Sequence, residues 1–253
     1  MSISRKELVM LLTELLQPDT VSDYCPNGLQ VQGTDTISHI VTGVTASQAL
    51  IDSAITANAD AILVHHGYFW KGENQAITGI KYKRIKSLID NNINLLAYHL
   101  PLDIHGTLGN NAQLGNLLNL VDISPLEGVK PTGIVMRGST QSPLRADTFS
   151  SQLANLLNRN ILMEGATDRE ISKVAWCTGG GQGFIEAAIE AGTDAFITGE
   201  VSEQTVHLAR ENNIVFYAAG HHATERYGVK ALGEHIARHA PVTVEFIDID
   251  NPA

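Results

Sequence analysis

The sequence predicts an α/β fold with two pseudo-repeated α/β lobes, each built on a largely parallel sheet. Three observations support this prediction. Short apolar runs alternate with amphipathic segments of helical length over most of the chain, a pattern typical of βα units. The order strand, helix, strand, helix, strand occurs twice, once before residue 100 and once after residue 170. Pro and Gly cluster between the two copies, in residues 122–145, where we expect a joint.

The first predicted helix starts close to the N terminus. Ser4 and Glu7 have the spacing of a capping box. The leucines that follow recur on one helix face, and they are Leu8, Leu11, Leu12, Leu15 and Leu16. This segment does not resemble a signal peptide, and no apolar run is long enough for a transmembrane helix. We therefore expect a cytoplasmic protein that does not interact with a membrane.

The elements of each copy can be assigned in order. In the first copy we predict strands at 40–44, 61–64 and 93–98 and helices at 48–57 and 80–91. In the second we predict strands at 173–177, 195–198 and 214–218 and helices at 184–191 and 203–211. The residues before the middle strand are similar, because Ala59-Asp60-Ala61 in one copy matches Thr193-Asp194-Ala195 in the other. This similarity indicates an internal duplication.

The rest of the chain completes the two lobes. We predict a short strand at 133–138, a helix at 146–158, a long helix at 224–239 and a final strand at 242–247. The predicted lobes are residues 1–124 and 125–253. We expect them to interleave, with the C-terminal segment packing on the first lobe.

Composition and charge exclude some classes of partner. The formal net charge of −10 disfavours nucleic acid, because duplex binding depends on clustered Lys and Arg. A small-molecule substrate, including a nucleotide, stays compatible with this charge if a bound cation supplies the positive field. Cys25 and Cys177 are far apart and lack the paired spacing of a zinc knuckle or a redox motif. We expect both to be reduced, buried thiols.

Histidines and acids follow the predicted strands at the point where each strand ends. His65 and His66 directly follow the second strand of the first copy, and His99 and Asp103 follow its third strand. Gly199-Glu200 follows the second strand of the second copy, and His221 and His222 follow its last strand. Ligands of α/β proteins bind outside the carboxyl ends of the strands, so we expect a site in the cleft between the two lobes.

The residue types at these positions predict a metal site. His221 and Glu225 are four residues apart, so at the start of a helix they lie on one face and can bind the same ion. Imidazole and carboxylate together favour zinc, iron, manganese or nickel over calcium or magnesium. The number of ligands suits two divalent ions better than one, and paired ions commonly activate water for hydrolysis. The alternative for each histidine alone is a structural or surface role.

Several side chains keep more than one interpretation. His99 and His222 can be ligands, partners of ligands or proton carriers, and Asp103 can instead cap a turn. Gly179-Gly180-Gly181 can hold phosphate or can allow a close approach of backbone. The aromatic residues Tyr68, Phe69 and Trp70 can stack on a heterocyclic base or can close a core or a subunit contact.

The chain resembles the dinuclear-metal family related to the yeast NGG-interacting factor, whose members are commonly named GTP cyclohydrolase 1 type 2 homologues. The resemblance covers almost the whole chain and is closest to the short bacterial form. The motifs are Asp23-Tyr24 with Pro26-Asn27-Gly28-Leu29-Gln30-Val31, then VHHGYFW, HLPLD, AWCTGGG, DAFITGE and GHHATERYG. Gly67 stands where many members have Pro, and the middle insertion of longer members is absent.

The resemblance implies a ligand set and an assembly. Two metal ions would be held by His65, His66, Asp103, His221 and Glu225. The chain would form a homohexameric ring, a trimer of dimers.

Two classes of function follow. The first is a metal-dependent hydrolase in which His99 or Glu225 carries a proton, with opening of the guanine ring of GTP as the reaction that the family name suggests. The sequence shows no cluster of Lys and Arg suited to a triphosphate. The second is a non-catalytic metal chaperone or store, or a ring-shaped scaffold for other proteins.

Overall fold

A computed structural model describes residues 1–253. The strands are β1 (Ile3–Ser4), β2 (Gly28–Val31), β3 (Thr36–Ile37), β4 (His39–Thr45), β5 (Ala61–His66), β6 (Asn94–Ala97), β7 (Val121–Pro125), β8 (Met136–Arg145), β9 (Leu162–Glu164), β10 (Glu170–Cys177), β11 (Ala195–Thr198), β12 (Val215–Ala218) and β13 (Thr243–Phe246). The helices are α1 (Arg5–Leu16), α2 (Gln48–Thr56), α3 (Gly79–Asp90), α4 (Leu100–Asp103), α5 (Asn110–Leu117), α6 (Ala146–Leu157), α7 (Ile185–Glu190), α8 (Glu203–Glu211) and α9 (His221–His239).

The chain divides into two compact units. The first unit contains residues 1–102 and 228–250, and the second contains residues 103–227 and 251–253. The C-terminal strand β13 therefore belongs with the N-terminal part of the chain. The predicted division at residues 124/125 follows the sequence repeat rather than these units, and it stays a prediction.

The first unit is built on a five-stranded sheet in the order β13-β4-β5-β6-β2. Its first four strands are parallel, and β2 pairs antiparallel with β6 at the edge. Apolar side chains of β4, β5 and β6 are buried against α2 and α3, as expected for parallel strands covered by helices. The predicted capping box is confirmed, because Ser4 Oγ accepts a hydrogen bond from the Glu7 backbone N–H and Glu7 reaches back to the Ser4 backbone N–H.

The second unit is built on a six-stranded mixed sheet in the order β7-β8-β10-β11-β12-β9. Its three central strands, β10, β11 and β12, are parallel, while β8 and β9 pair with them antiparallel and β7 pairs antiparallel with β8. The core of this unit includes Phe149, Trp176 and Tyr217, which are fully buried. The segment 122–145, predicted to be a joint, contains most of the β7–β8 pair.

The predicted duplication is visible in matching backbone contacts. In the first unit Asp60 Oδ2 accepts hydrogen bonds from the backbone N–H groups of Ser38 and His39, at 2.8 and 3.0 Å. In the second unit Asp194 Oδ2 accepts from Ser172 and Lys173 in the same way, at 3.0 and 2.8 Å. In both copies the aspartate just before the middle parallel strand binds the neighbouring strand next to the first residue of their parallel pairing. The prediction of a pseudo-repeated α/β fold is therefore confirmed.

In both copies of the repeat, polar side chains lie at the C-terminal ends of the parallel strands. His65 and His66 end β5, and Glu200 follows β11 by two residues. His99 and His221 follow β6 and β12 by two and three residues respectively. Each sheet thus presents its chemistry-bearing residues at the carboxyl ends of its parallel strands.

No helix has both the length and the apolar character needed to cross a membrane.

Candidate metal centre

His65 and His66, two adjacent residues of the first unit, are each oriented by a hydrogen bond at Nδ1. His65 is fully buried, and its Nδ1 lies 3.0 Å from the carbonyl oxygen of Tyr98. The Nδ1 of His66 lies 3.2 Å from Thr45 Oγ1. A carbonyl oxygen can only accept, so Nδ1 of His65 carries the proton and Nε2 is the nitrogen that can bind an ion. Metal-binding histidines commonly donate their other ring N–H to a carbonyl or carboxylate in this way.

His99 completes a cluster of three imidazoles in the first unit. One ring nitrogen from each of His65, His66 and His99 lies within 4.8 Å of the other two. His99 Nδ1 lies 2.7 Å from Oδ1 of the buried Asp23. The pKa of Asp23 is about 2, because burial, which raises it, is outweighed by hydrogen bonds from His99 and Asn27 and by the charge of His99.

The aromatic residues after the histidine pair have different positions. Tyr68 is buried, and its hydroxyl donates to the carbonyl oxygen of Ala46 at 2.7 Å, so it closes the core. Trp70 is half-buried, and its ring stands 5.0 Å from that of His99 at an interplanar angle of 84°. Of the aromatic residues singled out from the sequence, Trp70 is the one that lies beside the imidazole cluster.

The acids of the predicted set belong to the second unit and are buried. Asp103 ends α4, and its Oδ1 accepts hydrogen bonds from Asn110 Nδ2 at 2.8 Å and from Thr178 Oγ1 at 3.4 Å. Glu225 lies in the first turns of α9 with 3% of its surface exposed. Both acids raise the pKa of the buried Cys177 thiol, after burial as the larger cause. Their negative charges therefore act on the same buried region of this unit.

His221 lies between two carboxylates. Its Nε2 is 3.1 Å from Glu225 Oε2, which confirms that residues four apart share one face of α9. Its Nδ1 is 2.8 Å from Glu200 Oε1. Burial lowers the pKa of His221, but hydrogen bonds and charges of Glu225 and Glu200 outweigh burial and raise this pKa to about 9. A metal ion bound by Nε2 would take the place of the proton that this pair of acids favours.

The glycine run after β10 lets the backbone approach these side chains closely. A Cβ at Gly179 would lie 1.9 Å from Glu225 Oε1, and Gly179 has a φ of +65°. A Cβ at Gly181 would lie 2.5 Å from Cys177 Sγ, and one at Gly199 would lie 2.6 Å from the Gly179 carbonyl oxygen. Close approach of backbone therefore explains these glycines, as in the second interpretation of the run.

Sequence analysis named Glu200 at a strand exit and Asp23 in a family motif, but it gave no role to these residues or to Thr45, which orient the imidazoles. Thr45, Asp23 and Glu200 each bond the Nδ1 of a predicted site histidine. The signal for Glu200 is its position, since it follows a strand of the repeat at the place where His66 stands in the other copy. Asp23 carries a weaker signal, because it precedes an edge strand and only the fold brings it to His99.

The two cysteines are free and buried, as predicted. Burial raises the pKa of the Cys25 thiol to about 12, and the charge of Asp23 adds to this.

A cavity of about 500 Å³ in the second unit is lined by residues of β8 and α6, among them Thr140, Gln152 and Asn155. It contains no titratable side chain, so we assign it no chemistry.

Comparison with known proteins gives one consistent result. The family model described as Duf34/NIF3 (NGG1p interacting factor 3) matches residues 3–252. A Pasteurella multocida protein named "GTP cyclohydrolase 1 type 2 homolog" is 55% identical over 98% of both chains. A Pseudomonas aeruginosa protein of the same name is 52% identical over the full length of both.

Solved structures agree with these relatives. A protein described as ybgI, of unknown function, has a TM-score of 0.94 and 50% identity, with 99% of this chain and 100% of that chain covered. TTHA1606 from Thermus thermophilus has a TM-score of 0.90 and 32% identity over the same shares. On the family model and on these identities, the chain belongs to the Duf34/NIF3 (NGG1p interacting factor 3) family.

Proposed function

We propose that this protein is a metal-dependent hydrolase that holds two divalent ions. In this proposal His65 and His66 of the first unit and Asp103, His221 and Glu225 of the second unit are the ligands. The convergence of ring nitrogens from His65, His66 and a third imidazole within 4.8 Å carries the proposal. Imidazole is the commonest metal ligand in proteins, so a cluster of ring nitrogens supports metal binding at this end of the sheet.

The donor chemistry fits a transition metal. His65 and His221 have Nδ1 bonded to an acceptor, which leaves Nε2 as the ligand atom. The two acids supply oxygen ligands and the negative charge that offsets the charge of the cations. Nitrogen and oxygen together suit zinc, iron, manganese or nickel, and all-oxygen ligation by calcium or magnesium is disfavoured. When bound, a pair of such ions would supply Lewis acidity and would activate water for hydrolysis.

The residues beside the ligands supply proton transfer in this proposal. His99 is held by Asp23, and it lies beside His65 and His66 without belonging to the ligand set. Glu225 is buried against His221, so its carboxylate is the second candidate for a proton carrier. We assign the proton-carrier role to His99 first, since Glu225 is already used as a ligand.

The names of the relatives suggest the substrate to test. GTP is the first probe, with release of formate and loss of the guanine absorbance as the measured quantities. We expect metal-loaded protein to release formate, and an Asp103→Ala variant to release none. Absence of formate under every metal loading would reject GTP ring opening and would leave the metal site to be judged by binding.

Metal binding tests whether ligands from both units share the ions. Zinc stoichiometry is measured by calorimetric titration of wild type, His66→Ala and Glu225→Ala, with His207→Ala as a control because its side chain is 59% exposed in α8. If ligands from both units share the ions, each of the two site variants should lose both zinc ions, while the control keeps two ions per chain. Separate sites would leave each variant with the other unit's ion, and that outcome would reject the proposal.

We also propose the setting in which the chain acts. It is expected to work in the cytoplasm on a small molecule and to assemble as a homohexameric ring, a trimer of dimers. Light scattering should then give six times the chain mass of 27.3 kDa. Metal binding without any turnover would favour the alternative class, a metal store, chaperone or ring-shaped scaffold.

A further inference from the structure

Asp23 is a buried carboxylate that receives four hydrogen bonds and lies outside the proposed ligand set. Its Oδ1 accepts from the Tyr24 backbone N–H at 2.6 Å and from His99 Nδ1 at 2.7 Å. Its Oδ2 accepts from Asn27 Nδ2 and from the Leu100 backbone N–H, both at 2.9 Å. Only 3% of its side chain is exposed. So many donors on one acid indicate a site built to keep it ionised and fixed.

These contacts determine which nitrogen of His99 carries a proton. An ionised carboxylate can only accept hydrogen bonds, so His99 Nδ1 must donate to Asp23. A neutral imidazole has one N–H, and its lone pair is then on Nε2. Asp23 is ionised at neutral pH, since its pKa is about 2 despite a burial that raises it.

The ring of His99 is held in place by further contacts. Its backbone N–H donates to Asn27 Oδ1 at 2.8 Å, so the same asparagine binds both Asp23 and His99. The Trp70 and Tyr24 rings stand at 84° and 60° to the imidazole, with centroids 5.0 and 6.4 Å away. The imidazole therefore has neighbours on several sides, and its orientation does not depend on the Asp23 bond alone.

We propose that Asp23 is a positioning residue that keeps the proton of His99 on Nδ1, which leaves Nε2 as the proton acceptor of a ring that lies beside the His65–His66 pair. The use of Nε2 in catalysis rests on the proposed function. The tautomer itself is a property of the first unit alone, and it can be measured without metal or substrate.

Asp23→Asn is the decisive substitution, because an amide cannot accept all four bonds. An NH₂ group in place of Oδ2 would oppose two donors, Asn27 Nδ2 and the Leu100 N–H. If the NH₂ group replaced Oδ1 and His99 moved its proton to Nε2, the NH₂ group could donate to His99 Nδ1. Only the Tyr24 N–H would then face another donor. The second arrangement loses fewer hydrogen bonds, so the variant should reverse the tautomer of His99.

The experiment reads the tautomer by ¹H–¹⁵N correlation NMR of the full chain, metal-free and labelled on histidine nitrogen. The pH is set about two units above the ordinary imidazole pKa of ~6.5. The signal of His99 is identified by its loss in His99→Gln. We expect a proton on Nδ1 in wild type and on Nε2 in Asp23→Asn. A wild-type proton on Nε2 would overturn the inference without any variant, and so would an unchanged tautomer in a folded Asp23→Asn protein.

A matched control separates this role from general damage to the fold. Asp60→Asn removes another carboxylate of the first unit that accepts backbone N–H bonds, from Ser38 and His39, away from the imidazole cluster. We expect it to leave the His99 tautomer unchanged, and a reversal in this control would overturn the assignment to Asp23. Zinc titration of wild type distinguishes the two proposals, because lack of zinc binding rejects the metal-dependent function and leaves the tautomer result valid.

Discussion

Among the glycines, Gly179 is the position where an added Cβ would lie nearest to a proposed ligand, and this provides a quantitative test. Gly179→Ala would place a Cβ 1.9 Å from Glu225 Oε1. The two atoms need at least 3.0 Å, so the loop or the carboxylate must move by about 1.1 Å or more. Gly192 has the same φ of +65°, but nothing lies within 4 Å of its Cβ position. Gly192→Ala therefore has the backbone penalty without the collision.

The difference between the two variants isolates the contact with Glu225. A left-handed φ costs an L-residue about 1–2 kcal/mol, and this cost applies to both alanines. Overpacking at Gly179 adds about 1–3 kcal/mol. We expect Gly192→Ala to lose about 1–2 kcal/mol in free energy of unfolding, and Gly179→Ala to lose about 2–5 kcal/mol. Displacing Glu225 should also weaken zinc binding at least tenfold, by analogy with the ~10–100-fold effect of disturbing the partners of ligands.

Two assays check these values. Urea unfolding of metal-free protein gives the loss of stability, and calorimetric titration with zinc gives the affinity. The reasoning is refuted if Gly179→Ala and Gly192→Ala lose the same stability, or if Gly179→Ala binds zinc as tightly as Gly192→Ala does.

Three further predictions concern other parts of the site and the fold. Glu200→Ala should weaken zinc binding about 10–100-fold, because it removes the hydrogen-bond partner of His221 Nδ1. The loss of stability should be small, because the Glu200 side chain is 46% exposed. Glu203→Ala is the exposed control, and equal zinc affinities of the two variants would contradict the prediction. The pKa of His221 in the folded protein is about 9, which is above its ordinary value of 6.5. The protonated His221 side chain therefore stabilises the metal-free protein fully below pH 6.5, and this stabilisation is lost as the pH rises through about 9. His221→Gln should lack this loss in urea unfolding across that range, and an identical pH profile would count against it. Asn94→Ala should cost at least about 2 kcal/mol in urea unfolding, because its buried amide bonds three backbone groups, yet zinc stoichiometry should stay unchanged.

The parallel strands could be predicted because their apolar runs are continuous and their flanks repeat. The strand at 195–198 and the helix at 203–211 have the predicted bounds. Helix α9 was predicted from Thr224 but begins at His221, because its first turn carries polar residues that show no apolar periodicity. Local pattern thus locates the centre of an element better than its end.

The antiparallel strands at the sheet edges were harder to find. We did not predict β2, β7 or β9, and β8 begins at Met136 rather than at residue 133. These segments are short or contain Pro or Gly, and they become strands by hydrogen bonding to another strand, which for β2 and β9 is distant in sequence. Pairing of this kind depends on tertiary context more than on local propensity.

The sequence by itself determined the α/β repeat, the capped first helix and the strand exits that carry His65, His66, His99 and His221, because these follow from periodicity and from spacing along one segment. Only the tertiary structure decided which atom each imidazole offers. Asp23 reaches His99 across 76 positions of sequence, and Glu200 reaches His221 across 21. A hydrogen bond between residues so far apart exists only after the strands that carry them have paired, so no local pattern encodes it.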